Sequence, residues 1–522
     1  MKQAAFTLIE LLAVLAILAI ILLVTVPKVI DTIGNSKSSA FISNVKLIIK
    51  AIDEKRVEDQ TFDATTLTTD NIHSILGLDS SNYDSLAVTI ENGKVNITII
   101  GKGAWNDLII SGTTGNLVIT KASDFNGYAD TSGANKPILA SNMIPVYYDS
   151  TSSVWKKADS NNLKGIYSWY NYDSKIWANA VTVSATNRTT FLNAAVGTTI
   201  PEIDILTYLV WVPRYKYLIP VGTGARTISI TFEKASVSKS TGDAITTYRT
   251  HPAFTFVSKE LSGIWVGKFE VTGNTTTVTS KPGLVWFNHQ SVSTYYTVIR
   301  NMELVGNAYG FVDSEVDTHM ILNTEWGAIA YLTYSIYGKN SEVWVNSYMN
   351  DLTGASGTTV SSNITGTLYA YNNATYGGNS STTGNVYGIY DMSGGAKEYV
   401  MGNYNSYSGY STVNSDNSGF SGYNGNDATI TVGLSFPESQ YYNLYTTTDS
   451  TTACNSGNCY GQALVETSGW NADGFAFVTG PYPWLARGGA YDGTTGAGIF
   501  AVTKLTGEEA SKYSTRIVIS NQ

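Results

Sequence analysis

A lone carboxylate inside an apolar run is the first residue of chemical interest. From Phe6 to Pro27 the chain reads Phe-Thr-Leu-Ile-Glu-Leu-Leu-Ala-Val-Leu-Ala-Ile-Leu-Ala-Ile-Ile-Leu-Leu-Val-Thr-Val-Pro, and Glu10 carries its one charge. A charge in the middle of a bilayer-crossing helix costs about 2.5–3.5 kcal/mol, so Glu10 needs a partner or a purpose. The small residues Ala4 and Ala5 come before the apolar run. A secretory signal has its small-residue cut site after the run instead. Cleavage after Ala5 would leave the helix on the protein and create an amine on Phe6, one helical turn from Glu10. An amine and a carboxylate at that spacing share a helix face. In a packed filament each can instead pair with a neighbouring subunit.

Two cysteines, Cys454 and Cys459, stand in Cys-Asn-Ser-Gly-Asn-Cys. Outside the cell a disulfide closing this small loop is expected. A metal centre is disfavoured, because two thiolates have no nearby His to complete the ligand set. The four histidines (His73, His251, His289, His319) are scattered and read as structural or solvent-facing. There is no Gly-x-Ser-x-Gly, no His-Glu-x-x-His and no P-loop in the chain. The expectation is therefore no catalytic residue, no metal and no cofactor, with structural calcium left open.

The chain has 522 residues and a net charge of -9, with no Lys/Arg cluster, which argues against a nucleic-acid partner. Only 14% of residues are charged, while there are 48 Gly and 35 Tyr. That palette favours exposed β-structure and extracellular surfaces over a helical cytosolic enzyme. Tyr, Ser, Gly and Asn are also what adaptable binding surfaces use, and equally what turns and strands use.

The elements that must position these residues follow from periodicity. After Pro27 an apolar stripe runs through Ile30, Ile33, Phe41, Val45, Ile48 and Ile52, in steps of one helix face. This predicts a helix from Phe6 to about Glu58, roughly 80 Å long at 1.5 Å per residue. Lys2 keeps the short leader cytoplasmic and sends the rest outward. Residues 60–120 read as a small head with a short helix near 71–78. In this head 86–90 and 95–100 flank Glu91-Asn-Gly-Lys94, a hairpin signal. Strands at 108–110 and 117–119 complete a meander. Residues 121–136 are polar and aperiodic, a linker. Two short hairpins leading to Trp155 and Trp177 form a small subdomain over 137–202. From Ile203 to Gln522 short strands alternate with long loops. Strands are expected at 208–213 and 263–270, and a helix at 323–332 capped by Asn323, with Trp326, Ile329 and Tyr331 or Leu332 on its apolar face.

Ala5 followed by Phe6-Thr-Leu-Ile-Glu10, with Pro27 downstream, resembles the leader-cleavage and methylation motif of type IV prepilins and pseudopilins. The family usually has Gly where this chain has Ala5. The resemblance implies a leader at 1–5, cleavage and N-methylation at Ala5/Phe6, and assembly through Glu10 and Pro27. It further implies a long helix over 6–58, with 6–27 spanning the membrane, and a pilin-like head over 59–120. The implied partners are prepilin peptidase, the membrane before assembly, and other pilin subunits.

A second resemblance lies in Gly267-Lys-Phe-Glu-Val-Thr272, Leu322-Asn-Thr-Glu-Trp326, Gly388-Ile-Tyr-Asp-Met-Ser-Gly394 and Ala486-Arg-Gly-Gly-Ala-Tyr491. In this order they look like the formylglycine-generating-enzyme and sulfatase-modifying-factor superfamily, a variant of the C-type lectin fold. Its oxidising members bind copper with a cysteine pair near the C-terminus. This chain has no Cys beyond Arg487, so the resemblance does not imply that activity. Scaffold roles are expected for Trp326, Asp391, Gly394, Glu398, Arg487, Gly488 and Gly489. Gly394 and Gly395 allow positive φ, Asp391 and Ser393 satisfy backbone donors in the turn, and Arg487 pairs with a buried carboxylate such as Glu398 or Glu325. The stretch from Pro483 to Ile519 also resembles the variable region of lectin-fold proteins diversified by retroelements. That pattern implies exposed ligand-binding positions at Ala490, Tyr491, Asp492, Thr494, Thr495, Ala501, Thr503 and Lys504, joined by Tyr482 and Trp484.

Together these readings give an α+β chain. It has a long N-terminal helix with a small pilin-like β head, followed by a large C-type-lectin-like domain over 203–522. The function expected is a minor, non-catalytic pilin-like adhesin on the pilus or cell surface, with an extracellular protein or glycan as ligand. A pseudopilin component of a pilus or secretion machine is the alternative, and a surface enzyme of the sulfatase-modifying superfamily the second alternative.

Overall fold

The stripe through Phe41, Val45, Ile48 and Ile52 forms one buried side of a helix, α1, over residues 37–58 in the computed structural model. The structure describes residues 37–91, 93–105, 108–121, 130–160, 168–348, 351–360, 369–409, 418–446 and 459–522. The leader and the apolar run with Ala5, Phe6, Glu10 and Pro27 lie outside them. Among the described residues no helix is long and apolar enough to cross a membrane.

Two units are distinguished, 1–128 and, apart from residues 164–166, 129–522. In the first, α1 is followed by a short helix α2 (Ile72–Leu76) and four strands, β1 (Tyr83–Glu91), β2 (Lys94–Gly101), β3 (Leu108–Thr113) and β4 (Asn116–Lys121). The strands form an antiparallel meander in chain order. The β1–β2 turn holds Gly93 at φ +78°, which a side chain rarely tolerates. Val88, Val95, Ile97, Ile99 and Ile110 on the sheet pack with the α1 stripe in one core. Burying each such side chain contributes about 1.5–3 kcal/mol. Phe41 stacks on Trp105 with ring centroids 5.0 Å apart.

The second unit is built on two larger sheets. The first strands are β5 (Ile144–Asp149), β6 (Val154–Lys157), β7 (Asn179–Val183), β8 (Ile205–Pro213), β9 (Tyr215–Leu218), β10 (Ser229–Phe232), β11 (Arg249–Thr250), β12 (Gly263–Gly267) and β13 (Val316–Met320). Further on come β14 (Lys397–Tyr404), β15 (Asn443–Tyr445), β16 (Trp484–Gly488), β17 (Gly498–Leu505), β18 (Tyr513–Ser514) and β19 (Ile517–Asn521). A seven-stranded antiparallel sheet runs β13-β19-β12-β8-β7-β5-β6. A second sheet runs β15-β14-β16-β17, with β18 parallel to β14. A smaller sheet orders β10-β9-β11.

Several expectations are corrected here. Residues 137–202 are not a separate subdomain, because β5, β6 and β7 continue the sheet begun by β8. Of its two expected hairpins, β5–β6 is one. The other is a tight turn in which Asn171 and Ile176 exchange backbone hydrogen bonds of 2.8 Å. The helix at Asn323–Thr333, α5 after α3 (Ala185–Asn193) and α4 (Val292–Arg300), is buried on every side instead of along one face. Nor does Asn323 cap it. The Leu322 N–H donates to Glu325 Oε2 at 2.8 Å, while Asn323 Nδ2 donates to Tyr445 Oη at 2.9 Å. Ser291 Oγ accepts from Thr294 N at the start of α4, a helix with no counterpart in the sequence reading.

Candidate functional site

The Arg-Gly-Gly stretch ends the central strand β16. Its neighbours fix its register: Glu398 faces Arg487 from β14, and Val502 faces it from β17. Past Gly488 the chain leaves the sheet in a loop over 489–497 that returns as β17. Two backbone bonds tie this loop to the turn after Asp391. Gly394 N donates to Gly488 O at 3.0 Å, and Tyr491 N donates to Gly395 O at 2.7 Å. The turn needs its glycines: Gly394 and Gly395 hold φ +75° and +70°. A Cβ at Gly395 would lie 2.5 Å from Glu270 Oε1. Gly488 and Gly489 are also left-handed, at φ +82° and +72°. The two most specific motifs of the sequence are therefore one physical clamp, in which the turn holds the loop.

The clamp presents a small polar cluster. Tyr491 is half-buried, and Asp492, Thr494 and Thr495 are exposed. Lys512 Nζ donates to Asp492 Oδ2 at 2.5 Å and sits 5.3 Å from the centroid of the Tyr491 ring. The bond to Asp492 raises the Lys512 amine above its ordinary value. Behind Tyr491 lies Trp286, with ring centroids 6.1 Å apart and its Nε1 donating to Ser511 O at 3.0 Å. Thr494 holds φ +48°, uncommon for a β-branched residue. The cluster offers aromatic, acidic, basic and hydroxyl groups on a rigid base, which suits recognition of a polar ligand.

Not every expected ligand position joins it. Trp484, Ala490 and Ala501 are buried at 0%, 3% and 2% exposure and offer nothing to a ligand. Trp484 and Ala501 lie on β16 and the start of β17, which are covered on both faces, while Ala490 is buried in the loop between the two strands. Trp484 stacks on Phe420 and Phe436 with centroids 5.6 Å away in each case, and its Nε1 donates to Ser408 O at 3.2 Å. Tyr482 is exposed and Thr503 and Lys504 are half-buried. These three belong to the other end of the β16–β17 pair, where Trp484 faces Leu505. That end is about 13 Å from the Gly488 end at 3.3 Å per residue.

The scaffold differs from expectation at its charges. Arg487 pairs with neither Glu398 nor Glu325. Its Nη2 donates to the carbonyls of Ala463 (2.9 Å) and Ile499 (3.4 Å). Its guanidinium lies 5.8 Å from the Trp326 ring centroid. Burial lowers it to about 10. Trp326 Nε1 donates to Ile499 O at 2.8 Å. Glu398 is bound by Arg516, whose Nε donates to Oε2 at 3.0 Å and whose Nη2 donates to Oε1. Arg516 also donates to Gly267 O and Tyr390 O, both at 2.9 Å. Asp391 accepts from Asn346 Nδ2 at 2.8 Å and from Gly354 N at 2.9 Å, so these bonds tie in a distant segment and not the donors of its own turn. The Ser393 hydroxyl makes no hydrogen bond to the described residues. Glu270, Asp391 and Glu398 are all buried around one guanidinium. Burial, then the charges of Asp391 and Glu398, push the Glu270 carboxyl well above the carboxylate range.

His319 is buried with Nδ1 at 2.7 Å from Asp317 Oδ1 and Nε2 at 3.0 Å from Glu325 Oε1. Burial opposes its charge, but Glu325 and Asp317 outweigh that and push it up to about 10, so it stays a cation. Glu325 thus serves His319 and the start of α5. His251 is buried among aromatic rings, and burial pushes it down to about 3. Among the described residues no three His, Cys, Asp or Glu side chains are grouped to hold a metal ion. Cys459 is disulfide-bonded, and the chain's other cysteine, Cys454, lies outside the described residues.

Sequence reasoning missed Lys512, Trp286 and Arg516. Each reaches its place through pairing of segments more than a hundred residues apart or through a loop, and no local motif marks it.

The prokaryotic N-terminal methylation motif matches residues 1–26. That match includes Ala5, Phe6 and Glu10 and stops one residue before Pro27. It supports a pilin-like N-terminus with processing by prepilin peptidase. No curated protein matches the chain.

Proposed function

We propose that this chain is a minor type IV pilin-like surface protein that presents a non-catalytic, C-type-lectin-like ligand-binding unit. The observation that carries the proposal is the methylation motif at residues 1–26 on a chain whose second unit spans nearly 400 residues. The first unit, a helix with a four-stranded meander, suits a pilin head. The second unit holds Tyr491, Asp492, Thr494 and Thr495 on a clamped loop with Lys512 paired to Asp492, an arrangement that suits binding. Among the buried titratable groups, His319 has both ring nitrogens committed to carboxylates and is held charged, which suits a structural ion pair and not a general base. A large second unit fits poorly along a densely packed shaft, so a minor subunit, presented at the filament end, is the reading adopted.

In mechanism, peptidase cleavage after Ala5 frees the Phe6 amine for methylation, and Glu10 directs packing among pilin helices. The 490–495 loop then meets an extracellular protein or glycan. The test is immunogold microscopy on intact cells with an antibody to residues 203–522. Gold on filaments, concentrated at their ends, is the expected result. Gold spread over the cell body without filaments overturns the pilus assignment in favour of a pseudopilin component. No surface gold overturns the outward orientation.

A further inference from the structure

A cleft of about 500 Å³ opens in the second unit between the loop after β9 and the loop before β11, away from the 490–495 loop in sequence. Its volume is in the range of small-molecule sites. Two apolar side chains stand on its rims with no packing partner to cover them: Val221 is 84% exposed and Ile245 52%. Ala244 and Tyr460 line it between them.

The charges in the cleft are unevenly matched. Arg226 Nε donates to Pro220 O and Nη1 to Gly224 O, both at 2.5 Å, and its guanidinium lies over the Trp470 ring at 5.2 Å. These contacts fix the fork but use two of its five N–H donors. No carboxylate pairs with it among the described residues. The two acids lining the cleft are already engaged. Asp243 accepts from the backbone N–H groups of Ile245, Thr246 and Thr247 in its own turn. Glu466 accepts from Tyr217 Oη and Tyr331 Oη, both at 2.7 Å, and from Gly461 N at 2.6 Å. A carboxylate offers about four lone-pair sites, so Glu466 keeps one, on Oε1.

We infer that this cleft binds a small apolar carboxylate. The free edge of the Arg226 fork takes the carboxylate, Val221 and Ile245 cover the apolar body, and Glu466 accepts one N–H from the ligand. A guanidinium held in place by two backbone carbonyls, and paired with no carboxylate among the described residues, is the group best suited to hold a ligand carboxylate at a water-accessible mouth. That chemistry belongs both to a free apolar amino acid and to an apolar residue at a peptide's C-terminus. The site is independent of the pilin-like reading and of the 490–495 loop.

The test is isothermal titration of the purified full-length protein with L-phenylalanine, N-acetyl-L-phenylalanine and N-acetyl-L-phenylalanine methyl ester. Saturable binding of at least one acid is expected, with Kd between about 10 μM and 1 mM. The ester is expected to bind about tenfold or more weakly. The acid that binds tighter names the source, free amino acid or chain end. Arg226→Gln and Ile245→Asp are each expected to weaken the acid by about tenfold. Ile245→Asp sets a like charge at an exposed rim without touching the Arg226 contacts, so it decides alone if Arg226→Gln fails to fold. No saturable binding of either acid below about 10 mM overturns the inference. So does an ester that binds as well as the acid, or an unchanged affinity in Ile245→Asp.

Discussion

The charges at the heart of the second unit show how far a residue's role can be read without its neighbours. Glu398 stands out in the sequence as a buried acid in need of a cation, and it is one. Its partner is Arg516, 118 residues away, and not Arg487 directly across the strand pair. Strands β14 and β18 pair in parallel, with Glu398 facing Ser514, and that register delivers Arg516 to the carboxylate. No local pattern encodes it. Three buried carboxyls share that one guanidinium, so they are not equivalent. Glu398 holds both arms of the fork, while Glu270 is driven towards its neutral form by burial and by the two other acids. Removing one partner of a buried pair leaves an uncompensated charge, which costs about 3–5 kcal/mol. Arg516→Met is therefore expected to destabilise the second unit by about that amount. Glu270→Gln replaces a group driven towards its neutral form and is expected to stay within about 1 kcal/mol. Urea unfolding of the two variants beside the parent checks both. Equal losses would mean that Glu270 is ionised and shares Arg516.

At the scale of elements, the legible parts are those with strong local signals. The α1 stripe, the β1–β2 hairpin with Gly93, and strands β8 and β12 follow from period and turn chemistry. Helix α5 is legible as a helix but not in its burial, because its polar groups bond to other elements: Asn323 Nδ2 to Tyr445 Oη, the Thr324 N–H to Asn443 Oδ1 and Tyr331 Oη to Glu466 Oε2. The candidate loop is half legible for a similar reason. Its glycines announce a turn, but which neighbours are covered depends on β14 and β17 flanking β16, and this is why Trp484 is core. The loop's shape rests on Gly489. Its φ is +72°, and a Cβ there would lie 2.6 Å from the Cα of Ala497. Gly489→Ala is expected to cost about 2–3 kcal/mol and to shift the loop away from the 394–395 turn. The bond between Tyr491 N and Gly395 O should break with it, so the Tyr491 amide should exchange with solvent about tenfold or more faster. Hydrogen exchange measured beside thermal unfolding separates the two effects. A protected Tyr491 amide in a destabilised variant would show that the clamp does not set the loop.

The whole chain joins a locally encoded unit to one that is encoded at long range. The first unit is a helix and a meander in chain order, and its plan could be read residue by residue. The seven-stranded sheet of the second takes strands from 144 to 521, and β19, formed by 517–521, lies between β12 and the edge strand β13. Pairings of that span carry no sequence signature, which explains why 137–202 reads as a separate piece when it is not. What the second unit does depends on where the N-terminal motif takes it, and there Glu10 is the deciding residue. A membrane helix without Glu10 is more apolar, not less, so Glu10→Val is expected to leave membrane insertion intact. Under the proposed function, the partner for that carboxylate would be the Phe6 amine of an adjoining pilin helix, which would exist only after cleavage and only in an assembly. A neutral valine cannot supply that pairing. Incorporation of Glu10→Val into filaments is therefore expected to fall by about tenfold or more, while the amount in the membrane fraction stays near that of the parent. Sheared-filament and membrane fractions probed with the same antibody read both quantities. Equal filament incorporation would remove the role assigned to Glu10. A joint loss from membrane and filament would make it a determinant of insertion or stability instead.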